Sequence, residues 1–265
     1  MRVLRGVAKK LRLNAILRPA YRWWTSRRPV VKVRAVGLSC KMRLDLQELH
    51  DREWEMDYGE RDFLEALKAH LHPGETALDV GAHLGQFTVP LAKILGERGL
   101  VLSFEPAESI YQRLVDHVKL NGLTNVQAFK KALGDKDGAG RIFFGGGNTP
   151  SIVPLDSDSA YRSVSENIEI VRGDTFFARE KLPTPHAVKI DVEGFEYAVL
   201  RGLCDTLASP TCRLVCVEIH PELLPSGAST EGITELLRSL GYGEIKIEPR
   251  DPELHLVAVK QAHIP

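Results

Sequence analysis

Five acids, two histidines and two glycines stand at the ends of apolar runs in this sequence. They are Asp79, Gly81, His83 and Gly85 in DVGAHLG, Glu105 in SFEP, Asp191 and Glu193 in KIDVEG, and Glu218 and His220 in VEIHP. The placement has chemical meaning, because ligands of doubly wound sheets bind beyond the carboxyl ends of the strands, where strand order reverses. The DVGAHLG loop departs from the dinucleotide pattern GxGxxG, whose middle glycine lets the backbone approach a pyrophosphate. His83 occupies that place, so a Cβ and an imidazole stand where a diphosphate would pack. Glu105, about 20 residues further on and at the next strand end, is suited to accept both hydroxyls of a ribose. Its carboxylate favours a positively charged ligand and repels a phosphorylated one. S-adenosylmethionine, with a ribose, a sulfonium and no phosphate, meets those requirements. A plain strand-to-helix turn with an incidental glycine pair is the structural alternative for the loop taken alone.

The elements that must position these residues follow from hydrophobic periodicity. From Tyr58 onward, strands and helices alternate, the signature of a parallel sheet with crossover helices. Strands are expected at 76–81, 100–106, 125–133, 187–194 and 213–221, with a closing pair at 242–249 and 253–260 that forms a hairpin at the sheet edge. Helices are expected at 61–70, 86–95, 110–120, 197–207 and 230–240, with Asn121-Gly122 as a C-terminal stop signal. The stretch 134–158, rich in Gly, Asp, Ser and Pro, interrupts this rhythm around a short strand at 141–144. It reads as a lid or substrate loop. Its GGGNTPS segment lacks the Walker lysine and is not a phosphate-binding loop. Asn148 and Ser151 are its candidates for contacting hydroxyls of an acceptor. Upstream, 30–37 and 40–46 read as a hairpin, and 3–17 as a basic amphipathic helix followed by Trp23 and Trp24. The expected domains are therefore an extension over 1–28, a hairpin and linker over 29–57, and a catalytic domain over 58–265.

The order DVGAHLGQFT, SFEP, VKLNGLTNV, KKALGDKDG, VRGDTFF, VKIDVEGFEYAVLRG and VCVEIHPELL resembles the FkbM family of S-adenosylmethionine-dependent methyltransferases over roughly residues 30–260. The resemblance implies an α/β fold: a doubly wound, Rossmann-like seven-stranded sheet with its last strand antiparallel. It also implies methyl transfer to an oxygen of a sugar, glycan or secondary metabolite. Its implied cofactor-binding residues are Asp79, Gly81, His83, Gly85, Thr88 and Glu105. The family commonly carries Asn where this chain has His83.

Methyl transfer from a sulfonium is an in-line displacement, and an alcohol is a poor nucleophile until it loses its proton. His220 is expected to be the base, because an imidazole titrates near neutrality, with Asp191, Glu193 and Glu218 positioning the acceptor or His220. The structural alternatives are that His220-Pro221 opens the next helix and that Glu193 and Glu196 stabilise a helix N-terminus. The four groups also have the chemistry of a magnesium or mixed divalent site. Their spacing does not resemble a dedicated metal motif, so no metal ligand is assigned. Asp174 matches a family acid and serves equally well as a turn cap.

Composition narrows the remaining classes. The chain has 265 residues, 43% hydrophobic and 26% charged, enough to bury a full core, and no apolar run long enough to span a membrane. Its 35 basic and 35 acidic residues balance only as a sum. Residues 1–43 hold 13 Lys or Arg and no acid, leaving 22 basic against 35 acidic in the remainder. The acidic body offers no continuous basic groove for nucleic acid. The basic arm either docks on anionic lipid or a partner or packs on the body's acidic surface. An Arg-rich start also mimics a transit peptide. Cys40, Cys204, Cys212 and Cys216 form no CxxC pair and read as reduced thiols of a cytoplasmic protein, with peripheral membrane contact through the arm. Two other functional classes fit the fold. A nicotinamide-dependent oxidoreductase is disfavoured by the missing middle glycine, and a non-catalytic docking module by acids at every strand end.

Overall fold

The computed structural model describes residues 30–43, 61–144, 150–151 and 165–260. The chain divides into two compact units, residues 1–58 and 59–265. The expected helix over 3–17, with Trp23 and Trp24, lies outside the described residues, as does Asn148. In the first unit, β1 (Val30–Ala35) and β2 (Leu38–Arg43) form the expected antiparallel hairpin. Its two-residue turn, Val36-Gly37, has both residues in the left-handed region, as tight hairpins require.

In the second unit, α1 (Arg61–His70) leads into β3 (Thr76–Val80), α2 (Thr88–Leu95), β4 (Leu100–Phe104), α3 (Glu108–Leu120) and β5 (Val126–Phe129). Then come β6 (Ala132–Gly134), β7 (Gly138–Phe144), β8 (Pro150–Ser151), β9 (Ser165–Arg172) and α4 (Gly173–Glu180). The chain continues through β10 (Ala187–Ile190), α5 (Glu196–Gly202), α6 (Cys204–Ala208), β11 (Leu214–Ile219), α7 (Thr230–Ser239), β12 (Tyr242–Pro249) and β13 (Leu254–Lys260). The main sheet has seven strands in the order β12-β13-β11-β10-β3-β4-β5. Pairs from β11 across to β5 are parallel, and β13 runs antiparallel between β11 and β12. The last strand is thus antiparallel as expected, but it is inserted beside β11 and leaves β12 at the edge. Strand order reverses between β3 and β10, which makes the crevice beyond their carboxyl ends the ligand position. Every residue of β3 and of β10 is buried, the condition of parallel strands covered on both faces.

Three expectations about elements are corrected. The single strand over 125–133 is two. The consecutive lysines Lys130 and Lys131, paired with Glu108 and Glu169, follow the end of β5 at Phe129. Ala132–Gly134 then joins a second sheet of order β6-β9-β7-β8. The short strand expected at 141–144 is present but begins at Gly138, and it pairs antiparallel with an unexpected strand over Ser165–Arg172. The alternating Ile168 and Ile170 of β9 are a period-2 signal that the sequence reading passed over. Finally, the helix over 197–207 is broken at Leu203. Gly202 packs so closely on β6 that a Cβ there would lie 1.8 Å from the Gly134 carbonyl oxygen. Among the described residues, no helix is long and apolar enough to cross a membrane.

Candidate active site at the strand switch

The loop between β3 and α2 is fixed from below and from the side. Gly81 and Ala82 both donate their amides to the Phe104 carbonyl at 3.0 Å. The His83 amide donates to Glu105 Oε2 at 3.0 Å, and the Ala107 amide to Glu105 Oε1 at 2.9 Å. Each carboxylate oxygen keeps a second acceptor position, which is what a ribose diol needs. Burial pushes the Glu105 carboxyl up to about 7, with the two amides working in the opposite direction. Gly81 is left-handed at φ 75. A Cβ on it would sit 1.7 Å from the Asp191 carbonyl oxygen, because the ends of β3 and β10 touch there. His83 is also left-handed, at φ 47. Asn and His are both enriched in that region, so His83 adopts a backbone conformation that its side-chain type tolerates. Its Nδ1 lies 3.3 Å from Gln86 Oε1.

Asp79 and Thr88 differ from the other expected cofactor residues in being fully buried beneath the loop. The Thr88 hydroxyl donates to Asp79 Oδ2 at 2.6 Å and lies 2.9 Å from the Ser103 hydroxyl. These contacts tie the start of α2 to the ends of β3 and β4. The residues present therefore fit a nucleoside without phosphate: a tight left-handed turn with a side chain at its middle position, and a carboxylate with free acceptor capacity that would repel a phosphate. Glu105→Leu is expected to weaken S-adenosylmethionine binding about 10–100-fold, the value of charged hydrogen bonds to the ribose. Isothermal calorimetry checks this, and an unchanged Kd would remove Glu105 from the cofactor site.

On the other side of the crevice, Asp191, Glu193 and His220 converge, with donor atoms all within 4.8 Å of one another. Glu193 and Gly194 are both left-handed, at φ 51 and 95, and turn the chain from β10 into α5. Glu196, in the first turn of α5, is fully buried, accepts the Gly194 amide at 2.8 Å and lies 2.8 Å from His220 Nδ1. That contact leaves His220 Nε2 directed at Glu193 Oε2, 3.5 Å away. Burial opposes charge on His220, but the Glu196 hydrogen bond and the carboxylates of Glu193, Glu196 and Asp191 outweigh it and push the imidazole up to about 9. Burial, with help from Asp191, Glu218 and Glu196 and against His220, pushes Glu193 up to about 7. Burial also opposes ionisation of Asp191, yet Lys189 foremost, then His220 and His83, hold it below the usual carboxylate range.

Lys189 went unnoticed in the sequence. Its Nζ, buried within β10, lies 3.1 Å from the Gly81 carbonyl oxygen, 3.3 Å from Asp191 Oδ2 and 3.7 Å from Asp79 Oδ1. A lysine inside an apolar parallel strand was the available signal, since such a charge must find partners. The two carboxylates of this cluster, Asp191 and Glu193, thus already have positive partners within the chain in Lys189 and protonated His220. Glu218, expected to position the acceptor or His220, is the penultimate residue of β11. It is held from behind by buried His255 at 3.2 Å, whose other nitrogen lies 2.8 Å from Asp62, itself paired with Arg250. Glu196 and His255 are the orienting groups that sequence reasoning missed or read as helix stabilisers. Asp174 resolves as a cap: it accepts the Asp205 and Thr206 amides at the start of α6 and the Thr206 hydroxyl. Ser151 sits in β8, and its side chain lies outside the described residues.

Comparison with known proteins gives the same reading. The family model described as methyltransferase FkbM domain matches residues 79–243, more than half of the chain. The chain is similar to hexuronic acid methyltransferase AglP of Haloferax volcanii, 28% identical over 182 residues, 68% of this chain and 68% of the relative. It is also similar to the 23S rRNA methyltransferase RlmD of Acinetobacter baumannii, 38% identical over 63 residues, which are 24% of this chain and only 14% of that protein. Among solved structures, an FkbM methyltransferase from Methylobacillus flagellatus superimposes with a TM-score of 0.50 at 16% identity, covering 69% of this chain and 43% of the other. That likeness concerns the fold alone. The sheet order, the loop at the strand switch and the family match together place this chain in the FkbM family of S-adenosylmethionine-dependent methyltransferases.

Proposed function

We propose that the protein methylates a hydroxyl of a sugar, glycan or similar polar metabolite, with Glu193 accepting the hydroxyl proton. The observation that carries this reading is the arrangement around His220. Its Nδ1 is tied to buried Glu196, while Nε2 meets the 22%-exposed Glu193 side chain. A proton acceptor thus stands at the mouth of the crevice, backed by a fixed positive charge. S-adenosylmethionine, when bound, supplies an electrophilic methyl group on a sulfonium. The loop from Gly81 to Gly85 and Glu105 hold and orient it. Asp191, kept ionised, accepts a hydrogen bond from the acceptor and fixes its approach. His220 is better placed as a counter-charge than as the base expected from its type, because an imidazolium has no lone pair for a proton. Glu193, near neutrality, has the matched basicity. Glu218, clamped by His255, borders the same carboxylates and helps hold the acceptor.

A carbohydrate acceptor is favoured by the similarity to a protein described as a hexuronic acid methyltransferase. In this reading Asn148 and Ser151 contact acceptor hydroxyls from the intervening loop. Residues 1–28 hold nine Lys or Arg and no acid, a charge that suits an anionic surface. The test is incubation of the full chain with labelled S-adenosylmethionine and a panel of neutral sugars, uronic acids and glycans, followed by mass-spectrometric location of the label. Methyl ethers are the expected products; methyl esters alone would mean transfer to a carboxylate and remove the need for Glu193 as proton acceptor. Label on nitrogen alone, or failure to bind the cofactor, would overturn the assignment.

A further inference from the structure

Lys189 is more elaborately partnered than a structural charge needs to be. Register pairs it with Asp79 across β10 and β3, and the two-residue period of a strand puts Asp191 on its own face. Its side chain is 3% exposed. The ammonium also lies 4.8 Å from the centre of the Phe87 ring, at the entrance to α2. Burying an ammonium is costly, and replacing a buried ion pair by neutral groups is often neutral or stabilising. A lysine kept only to neutralise Asp79 would thus add nothing that an apolar residue opposite a neutral one could not. Two of its contacts lie outside that pair: the Gly81 carbonyl, which belongs to the cofactor loop, and the Asp191 carboxylate, which faces the acceptor.

We propose that Lys189 is a positioning residue that couples the two halves of the site, its ammonium holding the cofactor loop by the Gly81 carbonyl and the Asp191 carboxylate in one fixed arrangement. The role of Asp191 in this proposal rests on the acceptor reading above. Because a single buried charge makes both contacts, a change that removes it releases the loop and the acid together. The charged groups facing Asp191 are Lys189 on its own strand, Asp79 on β3, His83 on the cofactor loop, Glu193 beyond the strand end and His220 after β11. Of these, Lys189 contributes most toward keeping Asp191 ionised.

Lys189→Met alone strands Asp79 and invites unfolding, so the informative protein is the double variant Asp79→Asn/Lys189→Met, compared with Asp79→Asn. Two readouts need no acceptor: calorimetric Kd for S-adenosylmethionine, and the carboxyl ¹³C titration midpoint of Asp191. Relative to Asp79→Asn, the double variant is expected to bind the cofactor about 10-fold more weakly, and its Asp191 midpoint to rise by about one pH unit. Thermal melting establishes that the double variant is folded at the temperature of both measurements. If either readout in the folded double variant matches Asp79→Asn, Lys189 does not couple the two halves and the proposal is overturned. If both move while the wild-type protein methylates no hydroxyl, the acceptor reading fails and the coupling stands.

Discussion

Glu193→Gln is expected to lower kcat/KM by about 10²–10⁴-fold, the usual contribution of a general base. The pH profile separates this from a loss of binding. In the wild-type protein, activity rises as Glu193 loses its proton near 7 and falls as His220 loses its own near 9. The result is a bell whose two limbs belong to the coupled pair. With His220 as base, activity would instead climb through about 9, because only then does the imidazole gain a lone pair. A wild-type optimum between the two values followed by a vanished acid limb in Glu193→Gln supports the assignment. A rate still rising above the upper value returns the base role to His220. Glutamine retains the size of the side chain, so a melting temperature close to wild type is expected and a large kinetic effect is not explained by unfolding.

Gly81→Ala is expected to destabilise the second unit by about 2–4 kcal/mol, from a strained left-handed backbone together with overpacking. For a domain of this size that is a fall in Tm of roughly 5–15 °C. The new Cβ would meet the Asp191 carbonyl oxygen at 1.7 Å and Val192 Cγ1 at 3.2 Å, so β3 and β10 would have to part at their carboxyl ends. That gap opens beside both the cofactor loop and the acceptor-side carboxylate, and cofactor binding should fail even below the new melting temperature. Gly227→Ala is the control: its φ is 89, but nothing lies within 4 Å of the position a Cβ would take. Differential scanning calorimetry should show a much smaller change there. Equal effects at the two glycines would mean that backbone strain alone is at work and that the strand ends are not in tight contact.

The alternation of elements from α1 to β13 was legible because most of the strands are short apolar runs bounded by turn residues, a signal carried by neighbours in the chain. It failed where two lysines cut one apolar run into strands of different sheets, and where close packing of Gly202 on β6 broke one helix into two. Both outcomes depend on partners remote in sequence: Glu108 and Glu169 for the lysines, Gly134 for the glycine. At the site, the types and positions of Asp79, Glu105, Asp191, Glu193, Glu218 and His220 were all visible. Their pairings were not. Glu218 is held by His255, a residue 37 positions away, and His220 by Glu196.

The sequence by itself determined that polar groups follow the apolar strands, and that a loop without its middle glycine favours a nucleoside over a pyrophosphate. These follow from local order, since a residue after a buried strand must emerge at its end. Only the tertiary structure decided which of these groups meet, because strand order and register set the neighbours. Placing β10 against β3 puts Lys189 beside Asp79 and Gly81, and placing β11 next to β10 brings His220 to Glu193. Burial of Glu193 and the carboxylates around His220 then shift the two groups' proton affinities, which side-chain type alone does not specify.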